Sequence, residues 1–369
     1  MNKPVLIIGG GLSGLVTARE LTKRGIDFQL IEARDRFGGR ILSAKSMSVG
    51  TEQGYAVDLG PAWFWSGQQH LLNLIDELNL ANSVFLQPSA GQSVVEYQSG
   101  KIEKAVGVAS MAGAYRLDGG IDTLIQELVA KITSKNLLIN AIASQLTLST
   151  DGVSTRVLID GEHKTIHSQH VVLALPPRLV DQSLEFDPSL TSNEKKQLKS
   201  IPTWMAGHAK FVAIYKQPFW REEGLSGDGF SQRGPLAEIH DASPQQGEFY
   251  ALFGFLGISA TDREGYSDEV KKAAVDQLIR MFGDKAKNSV AVYYQDWALE
   301  PFTSTIADKI PQTSLAPATE LSASEWGKRI IWSGSETANQ HSHSNGYLEG
   351  AVESGQRASR LVIDLLADH

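Results

Sequence analysis

Four residues near the start of the chain have the types and spacing to hold a phosphate and a ribose. Gly9, Gly11 and Gly14 form a Gly-x-Gly-x-x-Gly run, and Glu32 follows eighteen residues after Gly14. The first glycine permits a tight turn, the second lets backbone approach a pyrophosphate, and the third lets a helix pack closely on a strand. Leu12 and Ser13 sit inside that turn, and an acid at Glu32 can accept hydrogen bonds from ribose hydroxyls. Farther on, Lys210 stands in an alternating segment with His208 and Val212, Tyr347 precedes a helical pattern, and His341 and His343 make a His-x-His pair. A partly buried lysine loses basicity through desolvation and can relay protons. On composition alone, however, Lys210 is the solvent side of a strand and Tyr347 is packing at a helix start. The two histidines lack a third ligand in the sequence, so no metal is expected.

Elements must carry these residues to one place. Val5–Ile8 reads as a buried strand, residues 13–24 as a helix with Leu15, Ala18 and Leu21 on one face, Gly25 as its stop, and Phe28–Ile31 as a second strand ending at Glu32. Strand, glycine turn, helix, strand and acid in register imply a bound dinucleotide, with its pyrophosphate at the helix N-terminus. A glycine-rich turn in an ordinary α/β unit would not explain the acid. This stretch leaves NAD and FAD equally open.

Directly after Glu32 come Ala33, Arg34, Gly39 and Arg40, within Ala-Arg-Asp-Arg-Phe-Gly-Gly-Arg. Paired glycines among arginines suit a backbone passing close to an anion. The planar fork of Arg40 suits a second clamp on the pyrophosphate or on a ring system. Gly60, Pro61, Ala62 and Trp63 suit either a backbone lying against a flat ring or a turn in the core.

A helix over 70–80, short strands over 84–106, a helix from Ile121, and strands over 137–148, 155–159, 163–167 and 171–175 follow. Pro176-Pro177 marks a domain boundary. Beyond it, strands at 208–215, 249–256 and 289–297 and a helix from Ser267 to Phe282 read as a mostly antiparallel unit with a helical face. The last segment repeats the opening pattern: a strand at 329–332, a turn from Ser333 through Gly334 and Glu336 to Thr337, and a helix opened by Gly346, Tyr347, Leu348 and Ala351. A second helix N-terminus would suit the electron-rich N1–C2 oxygen edge of a flavin, which selects FAD.

Composition bounds the rest. The chain has 369 residues, with 42 Asp plus Glu against 34 Lys plus Arg for a net charge of −8, which speaks against nucleic-acid binding. With no cysteine, disulfides, thiolate metal sites, cysteine nucleophiles and a cysteine-attached flavin are excluded. No apolar run approaches the ~20 residues that span a bilayer, and the first strand begins by Val5. A cytoplasmic protein without a membrane partner is the expectation.

On these motifs the chain resembles the flavin-containing amine oxidase family, the relatives of monoamine oxidase. The matching stretches run in order from Val5–Gly14 through Glu32–Arg40, Gly60–Trp63, Gly119-Gly120, Val171–Pro177, Lys210 with Pro218-Phe219-Trp220, and Trp297 with Glu300. They end in Gly334–Ala338 with Gly346–Glu353. The resemblance implies an α/β plus α+β fold: a Rossmann-like FAD-binding domain (1–68, 116–177 and 301–369) interleaved with a mostly antiparallel sheet-and-helix substrate domain (69–115 and 178–300). It implies non-covalent FAD, with Ile142 contacting adenine through its backbone, Glu336 near the ribityl and phosphate portion, and Leu348 approaching the isoalloxazine. Lys210 and Trp297 would flank the flavin ring, Lys210 holding a water against N5, and Tyr347 would form half of an aromatic cage. The implied reaction is oxidation of a small amine, by hydride transfer from the α-carbon to N5, to an imine and then a carbonyl, with O2 or another acceptor taking the electrons. A C–C desaturase or porphyrinogen-oxidising relative shares the fingerprint, and a flavoprotein that only binds or senses is the reading outside catalysis. Three departures stand out. The position expected to supply the second cage aromatic falls near Ala307, in Ile306-Ala307. The insertion over residues 69–115 is short. The loop from Glu336 to Tyr347 is long.

Overall fold

The computed structural model describes residues 5–46, 55–107, 110–247, 249–310, 321–338 and 344–367. Val5–Ile8 is the middle strand of a five-stranded sheet in the order Ile330–Trp332, His170–Leu173, Val5–Ile8, Phe28–Ile31, Leu137–Leu138, every pair parallel. Parallel strands are covered on both faces and therefore read as unbroken apolar runs, and Val5–Ile8 and His170–Leu173 are buried at every position. Strands distant in sequence thus meet in one sheet.

Helices Leu12–Lys23 and Leu348–Ala367 pack together over this sheet. Thr17 Oγ1 donates to the carbonyl of Gly355 at 3.1 Å, and a Cβ at Gly355 would lie 2.9 Å from that of Val16, so the helices touch nearly backbone to backbone. The helix Gln69–Glu77 joins them: Leu71, Leu74 and Ile75 share a core with Leu15 and Val352. Glu349 accepts from the backbone N–H groups of His70 and Leu71, satisfying donors at that helix start.

Ala141–Ser149, Gly152–Ile159, Glu162–Ser168 and Glu185–Asp187 form a four-stranded sheet. Pro176-Pro177, read from sequence as a boundary, follows the strand His170–Leu173. Pro177 opens the helix Pro177–Ser183, a position where its missing N–H costs nothing. Leu184, Phe186 and Leu198 pack with Ile8 and Val171. The helix Ser192–Ser200 that follows carries a full capping box, Thr191 with Glu194.

A seven-stranded sheet runs Ala291–Asp296, Ala209–Tyr215, Tyr250–Leu256, Leu236–Asp241, Leu225–Ser231, Gln92–Glu96, Ile102–Ala105. It is antiparallel except where Leu225–Ser231 lies beside Gln92–Glu96. Helix Ser267–Phe282 covers one face through Val270, Ala274, Leu278 and Met281. The strands Leu225–Ser231 and Leu236–Asp241 were not expected, because Gly227, Asp228, Gly229, Glu238 and His240 interrupt the apolar alternation that marks strands. Among the described residues no helix is long and apolar enough to cross a membrane.

Candidate active site

The five-stranded and seven-stranded sheets meet around a cavity of about 360 Å³, within the size range of small-molecule sites. Of the residues expected from sequence to bind the cofactor or take part in the reaction, all line it except Gly14, Ala33 and Ile142. Gly14 is packed away from it, where an added Cβ would stand 2.0 Å from the Gly9 carbonyl oxygen. Ile142 is 36% exposed and lies outside the lining. The strand it belongs to does touch the site, since Ala141 N donates to the carbonyl of Glu32.

At one end the wall is mostly backbone. Gly9 takes φ +109°, and a Cβ there would lie 2.4 Å from the Ala174 carbonyl oxygen. A Cβ at Gly11 would meet nothing within 4 Å, so it would project into the cavity. The helix that starts at Leu12 has no side-chain cap and no acid in its first turn. Its free N–H groups and positive dipole end are therefore a seat for an anion. Glu32 is buried, and its carboxylate accepts from Gly10 N at 2.7 Å and Arg34 N at 2.9 Å. Two of roughly four acceptor sites on a carboxylate remain for a ligand. Arg34 donates to Thr303 Oγ1 at 2.7 Å, while its buried Nε has no partner. Open glycine cradle, uncapped helix, free acceptors and orphaned donor together fit the phosphates and ribose of a dinucleotide.

Arg40 lines the same wall, but its fork is engaged within the protein. It donates to both oxygens of Glu336 (2.7 and 2.9 Å), to Ser335 Oγ and to the carbonyl of Trp204. Burial would raise Glu336, but Arg40 and the hydrogen bonds from Ser335 and Trp204 N outweigh it and hold the carboxyl below its ordinary value. The pair is an internal strut between residues 40 and 336.

At the other end the wall is side chain. Lys210 is 2% exposed in a strand buried throughout, so it is not a solvent-side residue. Its Nζ donates to the Gly60 carbonyl at 3.1 Å and lies 4.0 Å from the centroid of the Phe253 ring. Burial lowers its pKa to about 7, partly countered by Asp58 and reinforced by Arg116. Asp58 is itself pushed up by burial against the pull of Lys210, Ser43 and Arg116. Trp297 Nε1 donates to the Leu59 carbonyl at 3.1 Å, so Trp297 and Lys210 fix adjacent carbonyls of the Leu59-Gly60 turn.

Tyr347 has two indoles near it, with ring centroids 6.3 Å away at Trp65 and 6.1 Å away at Trp204. The residue pair expected to supply a second aromatic is elsewhere: Ile306 is 84% exposed, and the Ala307 carbonyl accepts from Arg178. Trp204, Met205, His208, Phe255, Phe302 and Met111 also line the cavity and were missed as site residues. A positive φ at Met205 and the fit of Trp204 against Gly346, where a Cβ would lie 2.4 Å from that of Trp204, hold that corner. Only the glycine hinted at it in sequence. Burial, then Arg263, pushes the His208 imidazole below its ordinary value, which keeps it neutral. His341 and His343 lie outside the described residues, and among those described no group of His, Asp and Glu could hold a metal.

A family model described as flavin containing amine oxidoreductase matches residues 12–108 and 108–363. A probable flavin-containing monoamine oxidase A from Dictyostelium discoideum is 25% identical, with 98% of each chain covered. That alignment extends over 461 positions, so the relative carries segments this chain lacks. A putrescine oxidase from Kocuria rosea is 23% identical, over 82% of this chain and 84% of that one. Among solved structures, wild-type putrescine oxidase bound to putrescine superposes with a TM-score of 0.76 at 22% identity, over 100% of this chain and 99% of the other. Cyclohexylamine oxidase from Brevibacterium oxydans gives 0.78 at 18% identity over 100% of each.

Proposed function

The chain belongs to the flavin containing amine oxidoreductase family, and from that premise we propose that it oxidises a monoamine with an apolar body, using FAD held without a covalent bond. It is a flavin-dependent oxidoreductase. Residues 1–68, 116–177 and 301–369 form the FAD-binding part in this reading, and 69–115 with 178–300 the substrate part. Bound FAD would supply a two-electron acceptor, so that the amine would leave as an imine, water would convert the imine to a carbonyl compound and ammonia, and O2 would take the electrons as hydrogen peroxide.

The residues of the chain supply placement and protons. The glycine cradle and the Leu12 helix end hold the pyrophosphate, Glu32 the ribose, and the helix end at Leu348 the far edge of the ring system. Tyr347, Trp65 and Trp204 exclude water around the amine. Lys210, with a pKa of about 7, takes or returns a proton through a water at the site. The observation that carries the reading is this buried lysine opening onto the cavity that also holds the glycine cradle.

The monoamine preference rests on the lining. Its described carboxylates are Glu32 and Glu336, the first at the phosphate end and the second tied to Arg40. A diamine's second ammonium would therefore meet indole and phenyl faces. An anaerobic stopped-flow screen tests both statements by following bleaching of the flavin band near ~450 nm. Arylalkyl and cycloalkyl monoamines should bleach it faster than 1,4-diaminobutane. A purified protein without that band sinks the flavin assignment, and a flavin that no amine bleaches sinks the amine.

A further inference from the structure

Behind the apolar wall of the cavity lies a cluster of charges that the reaction does not use. His240 is fully buried, with its Nδ1 2.8 Å from Asp228 Oδ1 and its Nε2 2.9 Å from Glu238 Oε1. A neutral imidazole has one N–H and one bare nitrogen, and the bare nitrogen would face a carboxylate oxygen lone pair to lone pair. Two short contacts to two acids are satisfied together when both nitrogens carry protons. Burial pulls His240 down, but Asp228 and Glu238 outweigh it and hold the imidazole above its ordinary value. The group is thus a carboxylate–imidazolium–carboxylate bridge between neighbouring strands.

Two arms lead from the bridge to the cavity. The Trp63 indole stands edge-on to the His240 ring at 4.9 Å, and Trp63 lines the cavity. Glu238 Oε1, the oxygen bound by His240, also accepts from Ser110 Oγ at 2.8 Å, and the next residue, Met111, lines the cavity. Phe253, on the other strand flanking His240, is uncharged and separates it from Lys210 Nζ. No other charged group is held against the imidazole by a hydrogen bond or ion pair among the described residues.

We propose that His240, clamped between Asp228 and Glu238, is a positioning residue that sets the apolar subsite for the amine's body by fixing Trp63 on one side and the Ser110–Met111 loop on the other. It touches neither the reacting carbon nor the flavin. Its loss should loosen substrate binding and leave the rate of the bound complex alone. The proposal rests on the amine reading of the cavity.

His240→Gln offers one donor nitrogen and one acceptor oxygen in place of two donor nitrogens, so the carboxylate facing the oxygen loses its partner. Measured anaerobically, its dissociation constant for a bulky apolar monoamine should rise about tenfold, equivalent to about 1.4 kcal/mol, with the limiting rate of flavin bleaching unchanged. Thermolysin should cut the variant faster around Ser110–Met111. Ser110→Ala removes only the loop arm and spares the buried bridge, so it should show the faster cleavage with a rise in the dissociation constant of about threefold. Variants that fold, retain flavin and keep both the wild-type constant and the wild-type cleavage rate overturn the proposal. So does a variant whose limiting rate falls while its constant stays fixed. If no amine bleaches the wild-type flavin, the amine reading fails first, and the cleavage comparison still decides whether His240 holds the loop.

Discussion

The two ends of the cavity are built from different material. The phosphate end is backbone: Gly9, Gly11, Gly38 and Gly39 and an uncapped helix start, with few side chains facing inward. The reaction end is side chain: Trp63, Trp65, Trp204, Lys210, Phe255, Trp297 and Tyr347, drawn from widely separated segments. Backbone recognition needs space and φ freedom, which only glycine supplies, so it tolerates almost no change. A wall of side chains can exchange members as long as the volume is kept. The aromatic expected near Ala307 is absent, and two indoles lie near Tyr347 instead.

Substitutions at the two ends should therefore differ in kind as well as in size. Gly14→Val should abolish flavin-bound protein altogether, because its Cβ would press on the Gly9 carbonyl at 2.0 Å and backbone cannot yield. Gly11→Ala meets open space, so the apoprotein should melt as the wild type does. Its affinity for FAD should nevertheless fall ~10- to 100-fold, the equivalent of the ~1–3 kcal/mol that an overpacked contact costs. Flavin titration of both apoproteins checks this, and wild-type affinity in Gly11→Ala would break the contrast between the ends.

The strut between the ends comes next. Glu336→Gln leaves Arg40, about a quarter exposed, without its buried counter-charge, which should cost about 1.5–3 kcal/mol in urea unfolding of the apoprotein. A loss under about 1 kcal/mol, the scale of an exposed pair, would show the strut to be open to water.

Lys210→Met should slow reoxidation of the flavin by O2 while FAD stays bound; an unchanged oxygen rate would remove Lys210 from the mechanism. The same variant carries a pH signature. The folded pKa is about 7, against about 10.4 for an unfolded lysine. Between those values the unfolded chain binds the extra proton, so stability rises with pH. The destabilising effect of Lys210 is full below pH 7 and disappears as pH climbs through the unfolded value. The stability gained by Lys210→Met should accordingly be largest near pH 6 and shrink by roughly 1 kcal/mol per pH unit above 7. A gap that does not change with pH would mean the lysine is not desolvated. The smallest effect is expected at the wall: Trp204→Ala should raise the Michaelis constant for an apolar amine by about tenfold with kcat nearly constant.

The same contrast explains what the sequence made legible. The cradle could be read because glycine spacing, strand and acid are local, and nineteen of the twenty-two residues expected to bind the cofactor or act in the reaction line one cavity. The opening strand and helix fell within a residue of their observed bounds. Trp204 and Met111 could not be read, because nothing around residue 204 or 111 is periodic and both reach the site through tertiary packing alone. Lys210 was ambiguous for the opposite reason. Its alternating neighbours describe a half-exposed strand, whereas the strand is central and covered on both faces. The strand that carries His240 was invisible, since its buried charges look like surface until their partners on Leu225–Ser231 are known.

The contact between Leu12–Lys23 and Leu348–Ala367 also sets an order of events during synthesis. A ribosome delivers the glycine turn first, but the edge strand Ile330–Trp332, the Glu336 partner of Arg40 and the helix that buries Val16 emerge more than 300 residues later. The first βαβ unit must wait through that interval with one face uncovered. Completion of the cavity wall by Gly334, Glu336, Leu348 and Ala351 is therefore a late event, and the glycine turn made first is the last part to be enclosed.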